Sequence, residues 1–401
     1  MRKWMLALLA ALLTVCAACV AQTPAPQPPQ APAPQPPQAP SAAQAPSEPA
    51  KTAPSWQELT FDEPAALSYA TQFTICRDKR GYTRLTIGDD QTFLLVPEDA
   101  AVPEDVPADV TVLQQPLEHI YLVATAAMDY FRELGEVGRI TLSSQKEKDW
   151  YIDEAKAAMQ AGAMVYAGKY SAPDYETILA NGCDLAIENT MIYHTPAVIE
   201  QLQTLGIPVL VERSSYEPEP LGRMEWLKLY AALAGKDAEA EAYFAQLMQS
   251  LDGVLDQTPT GKRVAFFYIT TSGAVNVRKS GDYIAKAIRM AGGEYVSFDE
   301  TDEENAMSTM TVQMESFYHT ALDADILIYN STIDGEIETI EQLLAKSPLL
   351  ADFKAVQSGN VWCISKNFYQ QSLALGNMIL DVHAILTDED SSDLYFLHKL
   401  T

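Results

Sequence analysis

The sequence predicts an α/β protein of two lobes, each a mainly parallel sheet flanked by helices, with one long helix joining them. Three observations predict it. Short apolar runs alternate with helix-period stretches in both halves of the 401-residue chain, the order that gives parallel sheets covered by helices. One design recurs about 140 residues apart. Pro173-Asp174-Tyr175-Glu176-Thr177-Ile178-Leu179 runs through Gly182-Cys183-Asp184 into Leu185-Ala186-Ile187, and Met314-Glu315-Ser316-Phe317-Tyr318 runs through Leu322-Asp323-Ala324-Asp325 into Ile326-Leu327-Ile328-Tyr329. Between the halves an uninterrupted helical pattern starts near Asp237.

Each element follows from pattern and punctuation. Ile120 to Val123 is a strand, followed by a helix through Ala127, Tyr130, Phe131 and Leu134 that stops at Gly135. Ile140-Thr141-Leu142 is a strand, Tyr151 to Met159 a helix, and Val165 a short strand. The Glu176 helix enters the Leu185 strand; a helix from Ala197 to Leu205 ends at Gly206, before the strand Ile207 to Val211. In the second half Val264 to Tyr268 is a strand and Asp282 to Met290 a helix closed by Gly292-Gly293. Ile326 to Tyr329, a helix from Glu338 to Leu344, the strand Val361 to Ile364 and a helix from Leu375 to Leu386 complete it. Asp237 is suited to cap the connector, which carries Phe244, Leu247, Met248, Leu251 and Leu255 at helical spacing. About 19 residues make a rod of roughly 28 Å, and no Gly/Ser hinge accompanies it. Leu67 to Leu113, with shorter β-like runs and turns, reads as an added antiparallel piece.

In the repeated segments Tyr175, Ile178 and Leu179 share one helix face, and Met314, Phe317, Tyr318 and Ala321 another. Glu176 and Glu315 fall off these faces and point outward. A two-lobed protein with one matched surface carboxylate per lobe is suited to docking on a partner.

The first residues specify location. Arg2 and Lys3 precede the apolar stretch Met5 to Val15, which ends in Cys16-Ala17-Ala18-Cys19. That is a signal-peptide pattern, too short to span a membrane. The cysteine after two alanines resembles a bacterial lipobox with Cys19 as the lipidated residue, although Cys16 stands where that motif usually has leucine. Residues 20–56 are mostly Pro, Ala and Gln, a composition that extends at ~3.1 Å per residue and spans on the order of 100 Å. The organisation expected is therefore a lipoprotein signal peptide (1–19), a tether (20–56), an N-terminal lobe (57–236), a connector helix (237–256) and a C-terminal lobe (257–401). The chain is expected at the cell membrane, lipid-anchored on the extracytoplasmic face.

A formal charge of −27 argues against a nucleic-acid partner. The run Asp299-Glu300-Thr301-Asp302-Glu303-Glu304 lacks the turn glycine and alternation of a calcium loop and reads as solvated. Cys76, Cys183 and Cys363 are odd in number and widely spaced, so no disulfide framework is expected; the last two flank apolar runs and read as buried thiols. No metal site is expected, since the five histidines form no ligand pair. His194, the one with a loop setting suited to haem, is isolated. No Gly-x-Ser-x-Gly elbow, Walker loop or dinucleotide fingerprint occurs, so neither catalytic residues nor a cofactor is assigned.

Several strings, taken in order, carry a resemblance. They are Leu202-Gln203-Thr204-Leu205-Gly206-Ile207-Pro208-Val209, Leu221-Gly222-Arg223-Met224-Glu225-Trp226, Ser280-Gly281-Asp282-Tyr283-Ile284, and Ser347-Pro348-Leu349-Leu350 with Ala355-Val356-Gln357-Ser358-Gly359-Asn360-Val361. Over roughly residues 115 to 390 the chain resembles the helical-backbone class of ABC-transporter substrate-binding proteins, the iron–siderophore, haem and cobalamin binders of the periplasmic-binding-protein family. The resemblance implies a monomer that captures a small metal chelate and meets an ABC permease dimer with its ATPase, touching the membrane only through the lipid. It implies that Glu176 and Glu315 pair with permease arginines, although Glu315 stands two residues further from its strand than is usual. A ferric siderophore is the expected solute; haem or a corrinoid, or a role as sensor or envelope scaffold, are the alternatives.

The ligand is expected in a cleft between the lobes, at loops beyond the carboxyl ends of strands. In the first lobe these hold Thr125, Met128, Lys169, Tyr170, Asn189, Tyr193, Ser215 and Tyr216; in the second, Arg278, Lys279, Tyr283, Asn330, Lys366 and Tyr369. Tyrosines can stack on a flat solute and offer a hydroxyl, and Arg or Lys can neutralise an anionic chelate.

Overall fold

The computed structural model describes residues 53–299, 309–389 and 393–401. The signal segment with Cys19, most of the tether, and the acidic run beyond Asp299 lie outside the described residues. Ser55 and Trp56, assigned above to the tether, already pair with Glu104, whose carbonyl accepts the Trp56 N–H at 2.9 Å.

An added sheet comes first: β1 (Glu63–Pro64), β2 (Phe73–Arg77), β3 (Thr83–Ile87), β4 (Gln91–Val96) and β5 (Val110–Gln114), side by side in that order. It is antiparallel except for β4 and β5, which run parallel. Buried carboxylates tie it to the first lobe. Glu225 accepts the main-chain N–H groups of Ser68, Tyr69 and Ala70 at 2.8–3.0 Å, and Glu217 those of Thr71 and Gln72 and the Trp226 indole at 2.8–3.1 Å. Such charge-assisted bonds are among the stronger ones available, and they satisfy a turn whose amides would otherwise be orphaned.

The first lobe proceeds through β6 (Ile120–Leu122), α1 (Met128–Glu133), β7 (Ile140–Ser143), α2 (Asp153–Gln160), β8 (Val165–Tyr166) and the ribbon β9 (Gly168–Lys169)–β10 (Ala172–Pro173). It continues through α3 (Tyr175–Ala180), β11 (Leu185–Asn189), α4 (Pro196–Thr204) and β12 (Val209–Glu212), then α5 (Pro220–Glu225) and α6 (Leu227–Ala234). Its five-stranded sheet, β12-β11-β6-β7-β8, is parallel throughout. The near-continuous apolar runs of these strands suit a sheet covered on both faces.

The connector α7 (Asp237–Leu255) begins one residue earlier than a cap at Asp237 would have it: Lys236 is the N-cap, and Asp237 pairs instead with Arg77 of the added sheet at 2.6 Å. The second lobe contains β13 (Arg263–Ile269), β14 (Val275–Arg278), α8 (Tyr283–Met290), β15 (Glu294–Tyr295), β16 (Thr309–Val312), α9 (Met314–Ala321) and β17 (Ile326–Asn330). After these come α10 (Ser331–Asp334), α11 (Ile340–Lys346), α12 (Lys354–Ser358), β18 (Val361–Ile364), α13 (Leu375–Thr387) and β19 (Leu397–Lys399). The parallel centre β13-β17-β18 has antiparallel margins, β14 and β16 on one side and β19 on the other.

One core runs from the added sheet (Phe73, Leu85, Phe93) through α6 and α7 into α8 and α13 (Ile284, Met378, Ile379). The connector is thus embedded rather than free-standing. Gly376 shows how closely α13, α7 and α5 pack: a Cβ there would lie 2.7 Å from a Leu247 methyl and 3.1 Å from the Met224 methyl and would have to displace them.

Candidate functional site

A cavity of about 280 Å³ opens between the lobes. The first lobe supplies Ser215, in the turn after β12, and Arg223, on α5. The second supplies Arg278, Asp282 and Tyr283, at the passage from β14 to α8, Phe368, Tyr369, Gln371 and Ser372 between β18 and α13, and Leu375 at the start of α13. Tyr283 is the centre. The Arg223 guanidinium lies 4.0 Å from its ring centroid and that of Arg278 lies 5.7 Å away, within cation–aromatic range.

The charges have distinct supports. Asp282 caps α8 by accepting the Ile284 N–H at 2.9 Å and sits 3.4 Å from Arg278. Burial pushes its carboxyl pKa up, with Arg278 opposing. Burial also works against the Arg278 charge, but Tyr283, Asp282 and Tyr295 outweigh it and hold that pKa above its ordinary value. Two guanidiniums against one carboxylate leave the lining cationic, in a protein whose net charge is −27.

Beneath lies a buried polar layer. Tyr130 and Tyr230 stack at 4.8 Å, and the Tyr130 hydroxyl donates to the Arg223 carbonyl at 2.7 Å. Glu212 accepts the Ser214 N–H at 2.7 Å, and burial raises its pKa. Ser214 Oγ, Tyr230 OH, Gln371 Oε1 and Ser372 Oγ are buried without a protein partner. Gln371 and Ser372 line the cavity, so they can bind a polar solute or water there.

The loop following β18 is fastened across to the first lobe. Gln370 accepts the Tyr151 N–H at 2.7 Å and donates to the Asp149 carbonyl at 2.8 Å, and Asp129 accepts the Leu373 N–H at 2.8 Å. Tyr151 meets Tyr369 edge-on at 6.0 Å. Glu219, the N-cap of α5, and Lys286 of α8 pair across the lobes at 2.6 Å.

Of the residues expected in the cleft, Arg278, Tyr283 and Tyr369 line the cavity, as does Ser215. Tyr216 is exposed immediately beyond Ser215, and Tyr193 is exposed. Thr125 begins a turn that packs on Lys366–Gln370 at the lobe junction. Met128 and Asn330 must be corrected. Met128 is fully enclosed in the core, and Asn330 is 3% exposed with its side chain capping Thr332. The Asn189 amide is likewise engaged by backbone, accepting from Met191 and donating to Val123. Lys169 and Tyr170 belong to the β9–β10 ribbon, and Lys279 and Lys366 are half-buried outside the lining. Arg223, Asp282, Gln371 and Ser372 went unassigned to the ligand. Arg223 is the one cation of the string Leu221–Trp226, which also holds Glu225; the loop polar groups carry no such signal.

Glu176 and Glu315 are exposed, and each is the second residue of its helix. The larger separation of Glu315 from its strand accompanies a longer helix, eight residues in α9 against six in α3. Leu179, placed above on the apolar face, is 47% exposed; Ile178 is the one buried residue of the six in α3. Cys76, Cys183 and Cys363 are unpaired, with burial pushing the Cys183 and Cys363 thiols up to about 11. Among the described residues no group of three or more His, Cys, Asp or Glu is placed to hold a metal ion.

The comparisons agree with this architecture. The periplasmic binding protein family model matches residues 122–367. An uncharacterised lipoprotein of Methanocaldococcus jannaschii is 26% identical over 330 residues, covering 78% of this chain and 76% of its own. Among solved structures, a periplasmic haem-binding protein of Pseudomonas aeruginosa superposes with a TM-score of 0.54 at 15% identity, over 71% of this chain and 98% of its own. One described as an ABC-type Fe3+-hydroxamate transport system, from Saccharomonospora viridis, gives 0.52 at 20% identity, over 67% and 93%. With its two lobes, embedded connector and interlobe cleft, the chain belongs to the periplasmic binding protein family, whose structural neighbours here are solute-binding proteins.

Proposed function

We propose that this protein is an extracytoplasmic solute-binding lipoprotein that captures an anionic iron chelate, a ferric siderophore, and delivers it to an ABC importer without chemistry. The convergence of Arg223 and Arg278 on Tyr283, from opposite lobes, carries this reading. Guanidiniums offer forked donors to carboxylate or catecholate oxygens, and Tyr283 and Tyr369 offer flat apolar surface to an aromatic or planar part of the solute. A cavity of about 280 Å³ stands just under the range for small-molecule sites, roughly 300–1,000 Å³. A ferric siderophore, haem or a corrinoid would each require the lobes to part further.

In this reading Cys19 holds the protein to the membrane through lipid, residues 20–56 serve as the tether, and the monomer places Glu176 and Glu315 on the two permease subunits. The printed descriptions of the structural neighbours, haem and Fe3+-hydroxamate among them, set the range of solutes to test. The test is fluorescence titration of the full chain with an anionic ferric tris-catecholate, a ferric tris-hydroxamate, haem and cobalamin at two ionic strengths. An anionic ferric chelate is expected to bind most tightly and to weaken as salt rises. Salt-independent binding of cobalamin alone would overturn the assignment.

A further inference from the structure

The added sheet, β1 to β5, lies ahead of the family match, which begins at residue 122. Its β3–β4 hairpin nevertheless reaches β12 and the residue that begins the Ser215 turn. Strand β12 is the edge of the first-lobe sheet, and Gln91 covers that edge as a further strand would. Its amide oxygen accepts the Val211 N–H at 2.7 Å and its nitrogen donates to the Val211 carbonyl at 3.1 Å. At the tip, Asp90 stands 3.4 Å from the Arg213 guanidinium. Gly88 adopts φ +57, and a Cβ there would fall 2.1 Å from an Arg213 nitrogen. The left-handed turn favours glycine there, and any side chain would displace the arginine head lying over it.

Arg213 begins the turn Ser214–Tyr216, whose Ser215 lines the cavity. Its guanidinium lies 5.1 Å from the ring centroid of Tyr216, which is 37% exposed, and the turn carrying the exposed Tyr193 packs against β12. Arg213 has donors to spare. Its side chain is 22% exposed, its Nε is buried with no partner, and its one carboxylate contact is long. A desolvated guanidinium with unfilled donors is costly unless something anionic completes it.

We propose that Arg213 is a specificity-determining residue of the cleft, holding an anionic, planar group at the outer edge of the solute against Tyr216 and Tyr193, and that Asp90 of the added sheet positions it. The added sheet is then a working part of the binding site, not only a cover for the first lobe. This rests on the anionic-chelate reading above and extends it from the Arg223–Arg278 pair to a second, outer subsite.

The test measures binding by the full chain of two probes, an anionic ferric tris-catecholate and a ferric tris-hydroxamate uncharged at its metal centre. Arg213→Ala is expected to weaken the tris-catecholate by roughly ten-fold or more while leaving the tris-hydroxamate within about two-fold. Arg213→Lys should recover only part of the loss, because the ammonium lacks the fork. Asp90→Asn should shift the ratio of the two affinities in the same direction and add little to Arg213→Ala. Should Arg213→Ala fail to fold, Asp90→Asn and Arg213→Lys carry the comparison. Equal losses for both probes, or none, overturn the proposal by reducing Arg213 to a structural residue. If the parent binds neither probe, or only the uncharged one, the anionic-chelate reading fails and the outer subsite with it. That outcome is distinct from a parent that binds the tris-catecholate but ignores Arg213.

Discussion

Arg223 of the first lobe and Tyr283 of the second meet across the cleft at 4.0 Å from guanidinium to ring centroid. Both lobes thus line one cavity, and in the proposed reading solute affinity depends on how the lobes close and not only on the inventory of either. Arg278 completes that surface from the second lobe's own side, and Asp282 keeps it from being purely cationic.

Replacing Arg223 and Arg278 together with Gln should therefore weaken an anionic ferric chelate by on the order of a hundred-fold, given about 1.5–3 kcal/mol for each charge-assisted contact. The parent should lose affinity with added salt and the double variant should not. Fluorescence titration at two ionic strengths decides it; an unchanged Kd refutes the assignment of these arginines. Lys279, half-buried and outside the lining, should contribute less than either.

Glu176→Ala combined with Glu315→Ala should leave the Kd for solute nearly unchanged, since both residues are exposed on α3 and α9 away from the cavity lining. Uptake by cells carrying the cognate permease should collapse. Normal transport by the double variant would remove these carboxylates from the docking surface.

Gln370→Ala should cost about 2–4 kcal/mol in urea denaturation, because it leaves the Tyr151 N–H and the Asp149 carbonyl without their interlobe partner. It should also speed solute release, since the loop carrying Phe368, Gln371 and Ser372 then loses two of its hydrogen bonds to the first lobe while keeping that to Asp129. Stopped-flow dissociation reads the second effect independently of the first.

Glu188, buried on β11 with neither oxygen partnered, has its pKa pushed by desolvation from 4.5 up to about 8. A carboxyl with a raised folded-state pKa favours the fold while protonated. Its contribution is complete below about pH 4.5 and is lost as pH rises through about 8. Stability should fall across that window by up to about 1.4 kcal/mol per pH unit from this group. Glu188→Gln should flatten the decline and raise the melting temperature most near pH 8. Melting curves from pH 5 to 8.5 test it, and parallel slopes for parent and variant would refute it.

Much of this architecture was legible in the residues alone. Period and punctuation are local, so α8 between Asp282 and Gly292 and the run Ile326–Tyr329 declare themselves without a partner. The repeated segments placed Glu176 and Glu315 on equivalent helices for the same reason. The mixed pairing within the added sheet was not legible, because strand direction is set by hydrogen bonds between distant segments, as with β4 and β5. The cleft was only partly so. Arg278 ends β14, Tyr283 begins α8 and Tyr369 lies in the turn after β18, all at strand exits, where a site is expected. Met128 and Asn330 share those positions but turn into core and cap, since side-chain direction depends on the exact exit of the chain from its strand. Arg223 belongs to a helix that reads as ordinary packing. Only the meeting of α5 with α8 across the lobes brings its charge over Tyr283, and that meeting is a property of the packed core shared through α7, not of any segment taken singly.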